Sequence, residues 1–290
     1  MINDMKKLLF LFSVIALAAC GDSDDGVNTP PDVPSPRLLT VEVGENPMQD
    51  ESANAREMTR AGDATTTATL SGFTMNYTDS WYNNFKKTGD TWSTANWPTT
   101  VYTTPIDFYA YNGGTFYWYS GNPYVSFTAE ENVASMKDLL VATHKSISFN
   151  DNNGHVSLTF DHACAAVQFF VYKEENATYK INSIKLNNVK KSGDYYYNNA
   201  ENERWVLGET TTYYTLTTNV PGDPFEVTTT KEQLPCGWLY LIPQSKSGIQ
   251  IVINYNTDKQ KILTLSSGTW EAGKKYTVNI RIGGKVNPAS

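Results

Sequence analysis

Short runs of alternating apolar and polar residues, separated by turn residues, fill the chain from about residue 64 onward. Examples are "TTTATLSGFTMNYT", "GIQIVINYNT", "QKILTLSSG" and "KKYTVNIRI". Alternation with a period of two is typical of half-buried strands, and threonine and aromatic residues both favour strands. Many short strands with frequent turns indicate β-sandwiches. The sequence therefore predicts an all-β fold.

The size of the chain allows two domains of ordinary size, since it has 290 residues, of which 40% are hydrophobic. The polar stretch "KEENAT" interrupts the apolar pattern between them. We expect an N-terminal sandwich over residues 61–174 and a C-terminal sandwich over residues 175–290.

Two local signals add detail to this fold. One helical face of residues 128–142 is apolar, which predicts one short helix covering a sheet edge. The turn residues Asn112, Gly113 and Gly114 separate two aromatic runs. Glycine and asparagine at such a point are typical of a β-hairpin.

The first residues have the features of a secretory signal, expected to span residues 1–19. Two lysines precede a charge-free apolar run at residues 8–19, which is shorter than the roughly 20 residues that a membrane-spanning helix needs. The run ends in "LAAC", which resembles a bacterial lipobox. That resemblance implies cleavage before Cys20 and lipidation of its thiol. The acidic "GDSDDG" that follows resembles the export tag of Bacteroidetes surface lipoproteins, which favours the outer face of the outer membrane.

An isolated strand pattern, "RLLTVEV", lies between two polar stretches. The stretch before it is acidic and rich in proline, so it has too little apolar surface to fold and is interpreted as a tether. Residues 20–60 are therefore expected to form a lipidated tether and propeptide that contains one lone strand.

The ordered set of these pieces resembles the fimbrillin family, the subunits of type V pili in Bacteroidetes. Besides the lipobox and the lone strand, the set contains "TRAG", "ATLSGFTMNY", "WSTANWPTTVYTTPIDFYAY", "KDLLVATHKSISF", "GHVSLTFDHACAAVQFFVY" and "WEAGKKYTVNIRI". The resemblance covers nearly the whole chain. It implies two tandem transthyretin-like β-sandwich domains and a role in adhesive surface filaments.

The resemblance also implies an assembly mechanism. In fimbrillins an arginine-specific protease releases the N-terminal strand, and a strand of another pilin subunit fills the vacated groove by β-augmentation. By this resemblance the expected cleavage site is Arg60, with Arg56 as the second choice. The plug strand carries four apolar side chains, Leu38, Leu39, Val41 and Val43.

The last residues, "GGKVNPAS", match a strand donor poorly because they are few and include Pro288, which cannot donate to a ladder. We therefore expect a tip or accessory subunit more than a stalk subunit. A lipid-held anchor and a monomeric adhesin remain open alternatives.

The sequence carries none of the familiar catalytic or metal-binding signatures, so we expect no enzyme, no cofactor and no metal site. Asp161 and His162 are neighbours on a strand, so their side chains should point to opposite faces, and His162 is expected to be a structural histidine. The net charge of −7 argues against nucleic acid as a partner.

The aromatic stretches "FYWYSGNPY" and "DYYYNNAENERW" support an alternative, a glycan-binding outer-membrane surface lipoprotein. Exposed Tyr and Trp beside Asn and Asp form surfaces on which sugars stack, so Trp118 and Tyr196 are the residues to test. A host or bacterial surface receptor is a further candidate partner. Cys164 and Cys236 could form a disulfide in an oxidising compartment, although free buried cysteine is common.

Overall fold

Strands dominate the protein, in agreement with the predicted all-β class. The structure is a computed structural model that describes residues 37–50, 70–174, 176–200, 204–216, 224–265 and 267–283. All of these residues belong to one compact unit, Pro36–Ser290.

The strands of the described residues follow one another closely along the chain. The first twelve are β1 (Leu38–Glu45), β2 (Gln49–Asp50), β3 (Gly72–Asn76), β4 (Tyr82–Thr88), β5 (Thr91–Trp92), β6 (Ala95–Asn96), β7 (Ile106–Asn112), β8 (Thr115–Tyr119), β9 (Asn122–Thr128), β10 (Leu140–Ile147), β11 (His155–His162) and β12 (Ala165–Lys173). The next twelve are β13 (Lys180–Lys190), β14 (Ser192–Tyr196), β15 (Trp205–Leu207), β16 (Thr211–Thr215), β17 (Phe225–Glu226), β18 (Glu232–Gln233), β19 (Leu239–Leu241), β20 (Gln244–Ser245), β21 (Gln250–Tyr255), β22 (Lys259–Thr264), β23 (Thr269–Trp270) and β24 (Lys274–Ile282).

These strands form several sheets. The largest has the order β5-β4-β3-β7-β10-β11-β1-β6. A second sheet has the order β18-β12-β24-β2, with β19 also on β12, and a third the order β16-β13-β21-β22, with β17 also on β13. A fourth has the order β15-β14-β9-β8, and β20 pairs with β23.

The buried hydrophobic residues form two cores. The buried members of the first core all fall between residues 39 and 160, with Phe73, Phe85 and Phe160 in ring contact. The second core takes side chains from residue 48 to residue 282. Strand β12 pairs with β24, β18 and β19, and β9 pairs with β14, so pairing runs across residue 174. The boundary at residues 174/175 remains a prediction.

The one short α-helix that was expected exists, but its predicted position at residues 128–142 is wrong. It is a single turn, α1 (Phe149–Asn152), which Ser148 caps by accepting from the backbone N–H of Asp151 (3.3 Å). Between the end of β9 at Thr128 and the start of β10 at Leu140, the chain forms only a 3-10 turn, Val133–Ser135. Of the four apolar residues that suggested a helix, Val133 lies in this turn, Met136 and Leu139 lie in the connection after it, and Leu140 begins β10, which lies between β7 and β11. Periodicity cannot separate a buried strand from a buried helix over so few residues.

The hairpin predicted at Asn112 and its two glycines is also wrong. Strand β7 pairs with β3 and β10, whereas β8 pairs with β9, so the two glycines carry the chain from one sheet to another. The hairpin forms one strand later, at Ser120 and Gly121, where both residues have positive φ (51° and 84°). Two central residues with positive φ match the turn that two-residue hairpins prefer.

The two cysteines within the described residues are free, and no disulfide joins them. Burial raises the pKa of the Cys236 thiol to about 12 and also raises that of Cys164, so both remain protonated thiols at neutral pH. Among the described residues, no helix is long and apolar enough to span a bilayer.

The first core should be sensitive to the loss of a single ring. Phe108 is fully buried and meets Trp97 edge-on at 5.4 Å. We expect Phe108→Ala to lower the free energy of unfolding by about 3–5 kcal/mol, as measured by urea denaturation. Tyr119→Ala is the control, because its side chain is 73% exposed and its loss should change stability by less than about 0.5 kcal/mol. Equal effects of the two substitutions would contradict the assignment of the core.

Candidate functional site

Strand β1, which contains the predicted plug residues, lies inside the largest sheet between β11 and β6. It runs parallel to β11 over six register pairs, from Thr40 opposite His155 to Glu45 opposite Phe160. Its first two residues, Leu38 and Leu39, pair antiparallel with β6. The strand is two residues longer than the segment 38–43 expected from sequence.

Alternate side chains of β1 face the first core. Leu39 is completely buried, and Val41 and Val43 pack against the same core from half-buried positions. Leu38, the remaining predicted plug residue, points outward and is 52% exposed. Glu45 continues the inward series two residues after Val43. The inward face of β1 is therefore three aliphatic side chains followed by a carboxylate.

The start of β1 is held by close packing against the turn before β11. Gly154 has φ of +73°, and a Cβ built there would lie 2.3 Å from the carbonyl oxygen of Leu38 and 2.5 Å from the ring of Phe149. The guanidinium of Arg37 lies 4.0 Å from the ring centroid of Tyr102 and 5.0 Å from that of Phe149, an arrangement that favours cation–π attraction. Only a glycine at position 154 allows the strand to approach so closely.

The end of β1 is held by a buried cluster of ionisable groups. His162, at the end of β11, has Nδ1 2.5 Å from Asp138 Oδ2 and Nε2 2.7 Å from Glu45 Oε1. The side chains are nearly inaccessible, with 2% of His162, none of Asp138 and 12% of Glu45 exposed. The backbone N–H of Cys164 also donates to Asp138 Oδ1 (3.1 Å). Since both ring nitrogens face carboxylates, the imidazolium is the form that can donate to both at once.

The pKa of His162 is raised by this arrangement. Burial by itself lowers the pKa of the imidazole, but hydrogen bonds and charge from Asp138 and then Glu45 outweigh that effect. A raised pKa means that the interaction stabilises the folded segment fully below the ordinary value of about 6.5 and is lost as the pH rises through the raised value.

Polar contacts line the outer face of β1 and continue beyond its end. Asn46 Nδ2 donates to Asp161 Oδ1 (2.7 Å), so Asp161 and His162 do present opposite faces, as the sequence indicated. The following residues form β2, which pairs in parallel with Lys274 and Lys275 of β24. The segment 37–50 therefore supplies an interior strand, β1, to the largest sheet and an edge strand, β2, to the second sheet.

A family model described as "Fimbrillin-like" matches residues 54–290, which is most of the chain. The chain belongs to the fimbrillin-like family. The match begins after β1 and β2, so the strand that occupies the sheet of this fimbrillin-like protein precedes the matched region.

Solved structures support the same fold for this fimbrillin-like protein. A fimbrial protein from Bacteroides vulgatus is 18% identical, with a TM-score of 0.53, over 85% of this chain and 95% of that one. A proposed cell adhesion protein from Bacteroides ovatus is 14% identical, with a TM-score of 0.51, over 84% and 92% of the two chains. Another from Bacteroides uniformis is 15% identical, with a TM-score of 0.50, over 85% and 93%. No curated protein matches the chain.

Three of the predicted site residues lie outside the described residues. These are the lipidation site and the two candidate cleavage sites, Cys20, Arg56 and Arg60. Their roles stay predictions.

The tyrosines of the two aromatic stretches form a ladder across one sheet of the fimbrillin-like fold. Tyr117 stacks on Tyr124 at 5.3 Å, and Tyr124 stacks on Tyr196 at 4.9 Å, with the three residues in register on β8, β9 and β14. Trp118 points the other way and meets Tyr109 edge-on at 5.7 Å. Because the stacked rings cover one another's faces, the arrangement favours cross-strand packing over a flat platform for sugars.

Two residues of the site, Glu45 and Asp138, were missed by sequence reasoning. Glu45 could have been found by continuing the alternation of "LTVEVGE" two residues past Val43. Asp138 could not, because it lies in the segment that was interpreted as a helix. In the part of the chain that the structure describes, no group of His, Cys, Asp and Glu is arranged to hold a metal ion.

Gly154 should be required for the seating of β1. In Gly154→Ala the new methyl group meets the Leu38 carbonyl, and we expect amide hydrogen exchange at residues 38–41 to accelerate at least about tenfold. Gly121→Ala is the matched control, since Gly121 also has positive φ but a Cβ added to it would meet no atom within 4 Å. Both variants carry about 1–2 kcal/mol of left-handed strain. Unchanged exchange in β1 of Gly154→Ala would contradict the close approach.

Proposed function

We propose that this fimbrillin-like protein is a cell-surface pilin-type subunit that acts in adhesion and filament assembly by exchanging β1 for a strand of another subunit. The observation that carries the proposal is the place of β1, a parallel strand inserted between β11 and β6 by a segment that precedes the family-matched region. The fold it shares with fimbrial proteins supports the same conclusion.

The connection between β2 and Leu70 contains both candidate arginines, Arg56 and Arg60. Cleavage at either arginine would separate residues 37–50 from the part of the chain that follows the cut. The segment would then be held only by non-covalent contacts. Its removal would expose the hydrogen-bonding groups of β11 and the pocket of Leu39, which together form a template for an incoming strand.

Cleavage alone is not expected to release the segment. Full burial of an aliphatic side chain contributes about 1.5–3 kcal/mol, and Leu39 is buried with two valines beside it. What the cut removes is the high effective concentration that covalent attachment gives the strand. A competing strand can then win by mass action. Within a filament, the proposed role is that of a subunit that accepts a strand, at a tip or accessory position.

The proposed anchor is a lipid on Cys20, with the protein held at the outer membrane and displayed at the cell surface. We expect Cys20→Ser to move the protein from the membrane fraction to the medium or the periplasm, because two acyl chains are needed for stable attachment. Fractionation with immunodetection measures this. Membrane retention of the variant at the wild-type level would contradict the anchor.

Processing is tested on surface-extracted protein by N-terminal sequencing. We expect the chain to start at Ala61 and expect Arg60→Ala to remove that terminus, with a start at Glu57 if Arg56 is cleaved instead. A surface-extracted chain that starts at acylated Cys20 would reject processing.

Strand exchange is tested by locking β1 to β11. Glu42 lies opposite Ser157, on the outer face of neighbouring strands about 4.8 Å apart, so cysteines at both positions can form a disulfide. We expect the oxidised double variant to be processed but to remain unassociated with other subunits, and reduction to restore association. Each single cysteine variant is a control. Association by the oxidised, locked protein would contradict strand exchange.

A further inference from the structure

Strand β1 occupies a groove between β11 and β6, called the slot below. At the end of the slot where His162 lies, the occupying strand has to supply a polar group. The inward residues of the strand are Leu39, Val41, Val43 and Glu45, so three apolar positions precede one carboxylate. The aliphatic positions suit almost any strand with alternating apolar residues. The position of Glu45 does not suit an apolar residue, because Glu45 Oε1 lies 2.7 Å from Nε2 of the buried His162 ring.

We propose that the slot selects an extended segment of another polypeptide that carries a carboxylate at the position of Glu45, where His162 binds it. This inference rests on the strand exchange proposed above and names the chemistry of the incoming strand. The incoming segment runs parallel to β11, places a large aliphatic residue in the pocket of Leu39, and places Asp or Glu six residues later.

The cost of a wrong residue follows from the burial of the cluster. When β1 leaves, Nε2 of His162 loses its carboxylate while Nδ1 keeps Asp138. An apolar residue at this position would bury a charged donor without a partner, which is far less favourable than a neutral mismatch at the surface. The slot therefore discriminates by charge as well as by shape.

Within this chain, residues 272–290 cannot meet the requirement because they contain no Asp or Glu. Charge complementarity to His162 is the property by which the incoming segment can be recognised.

The charges around His162 also set how binding depends on pH. From the described elements packed around it, Glu45 of β1 and Asp138 of the loop before β10 contact the ring. Cys164 contacts Asp138 through its backbone N–H, and its thiol is neutral because burial raises its pKa. Asp161 faces the opposite side of β11, toward Asn46. Binding of a carboxylate therefore favours the protonated ring, and affinity should fall as the pH rises through the raised pKa of His162.

The test uses the full chain after digestion with an arginine-specific protease, and labelled peptides with the sequence of residues 37–50. At about pH 6 we expect the natural peptide to bind at least about tenfold more tightly than its Glu45→Gln version. As the pH is raised toward about 9 the two affinities should approach each other, because the ring loses its proton as the pH passes through its raised pKa. The fluorescence anisotropy of each labelled peptide, followed while the digested chain is added at each pH, gives the affinities.

The control peptide carries Asn46→Ala, which removes an exposed contact next to the buried one. It should bind within about threefold of the natural peptide at both pH values. On the protein side, His162→Gln should abolish the preference for glutamate, while Asp161→Asn should keep it. The peptide comparison stands even if His162→Gln does not fold.

The outcomes separate the two proposals. Equal binding of the Glu and Gln peptides at both pH values would overturn the selection for a carboxylate and leave strand exchange intact. Failure of every peptide to enter the digested chain would overturn strand exchange, and the selection would fall with it.

Discussion

The hydrogen-bonded edge that β11 presents to β1 is the constraint on which the rest of this structure depends. Backbone N–H and C=O groups at a buried edge need partners, and β1 supplies them over six register pairs. The same strand covers the first core with Leu39 and closes the largest sheet toward β6. This segment precedes the region shared by the family, which is the ground for the strand exchange proposed above.

The two ends of β1 are held by different kinds of contact. At its start, Gly154 allows a close approach that depends on shape and backbone conformation. At its end, Glu45 reaches a buried imidazole whose protonation depends on its surroundings. Shape would be satisfied by many strands, whereas a buried carboxylate–imidazolium contact is specific. This combination of contacts fits the strand exchange proposed above, in which one strand replaces another.

Sequence reasoning succeeded where the signal is local. Alternation predicted strands, the lone pattern before the polar connection predicted β1, and the adjacency of Asp161 and His162 predicted their opposite faces. It failed where one local pattern has two solutions. The apolar residues between Val133 and Leu140 form a 3-10 turn, a connection and the buried start of β10 instead of a helix, and the two glycines after Asn112 lead from one sheet to another instead of closing a hairpin. In both cases the environment of the segment decided, and that environment comes from residues far away in the chain.

The sequence by itself determined that the chain is built from strands, that it belongs with the fimbrillin-like proteins, and which side chains of β1 share a face. Only the tertiary structure decided which strands pair, so that β1 lies on β11, β12 lies on β24, and Glu45 meets His162 and Asp138. The physical reason is that side-chain alternation specifies the faces of a strand but not its neighbours. Every strand offers the same backbone donors and acceptors along its edges, and the choice among them is made by the packing of whole sheets.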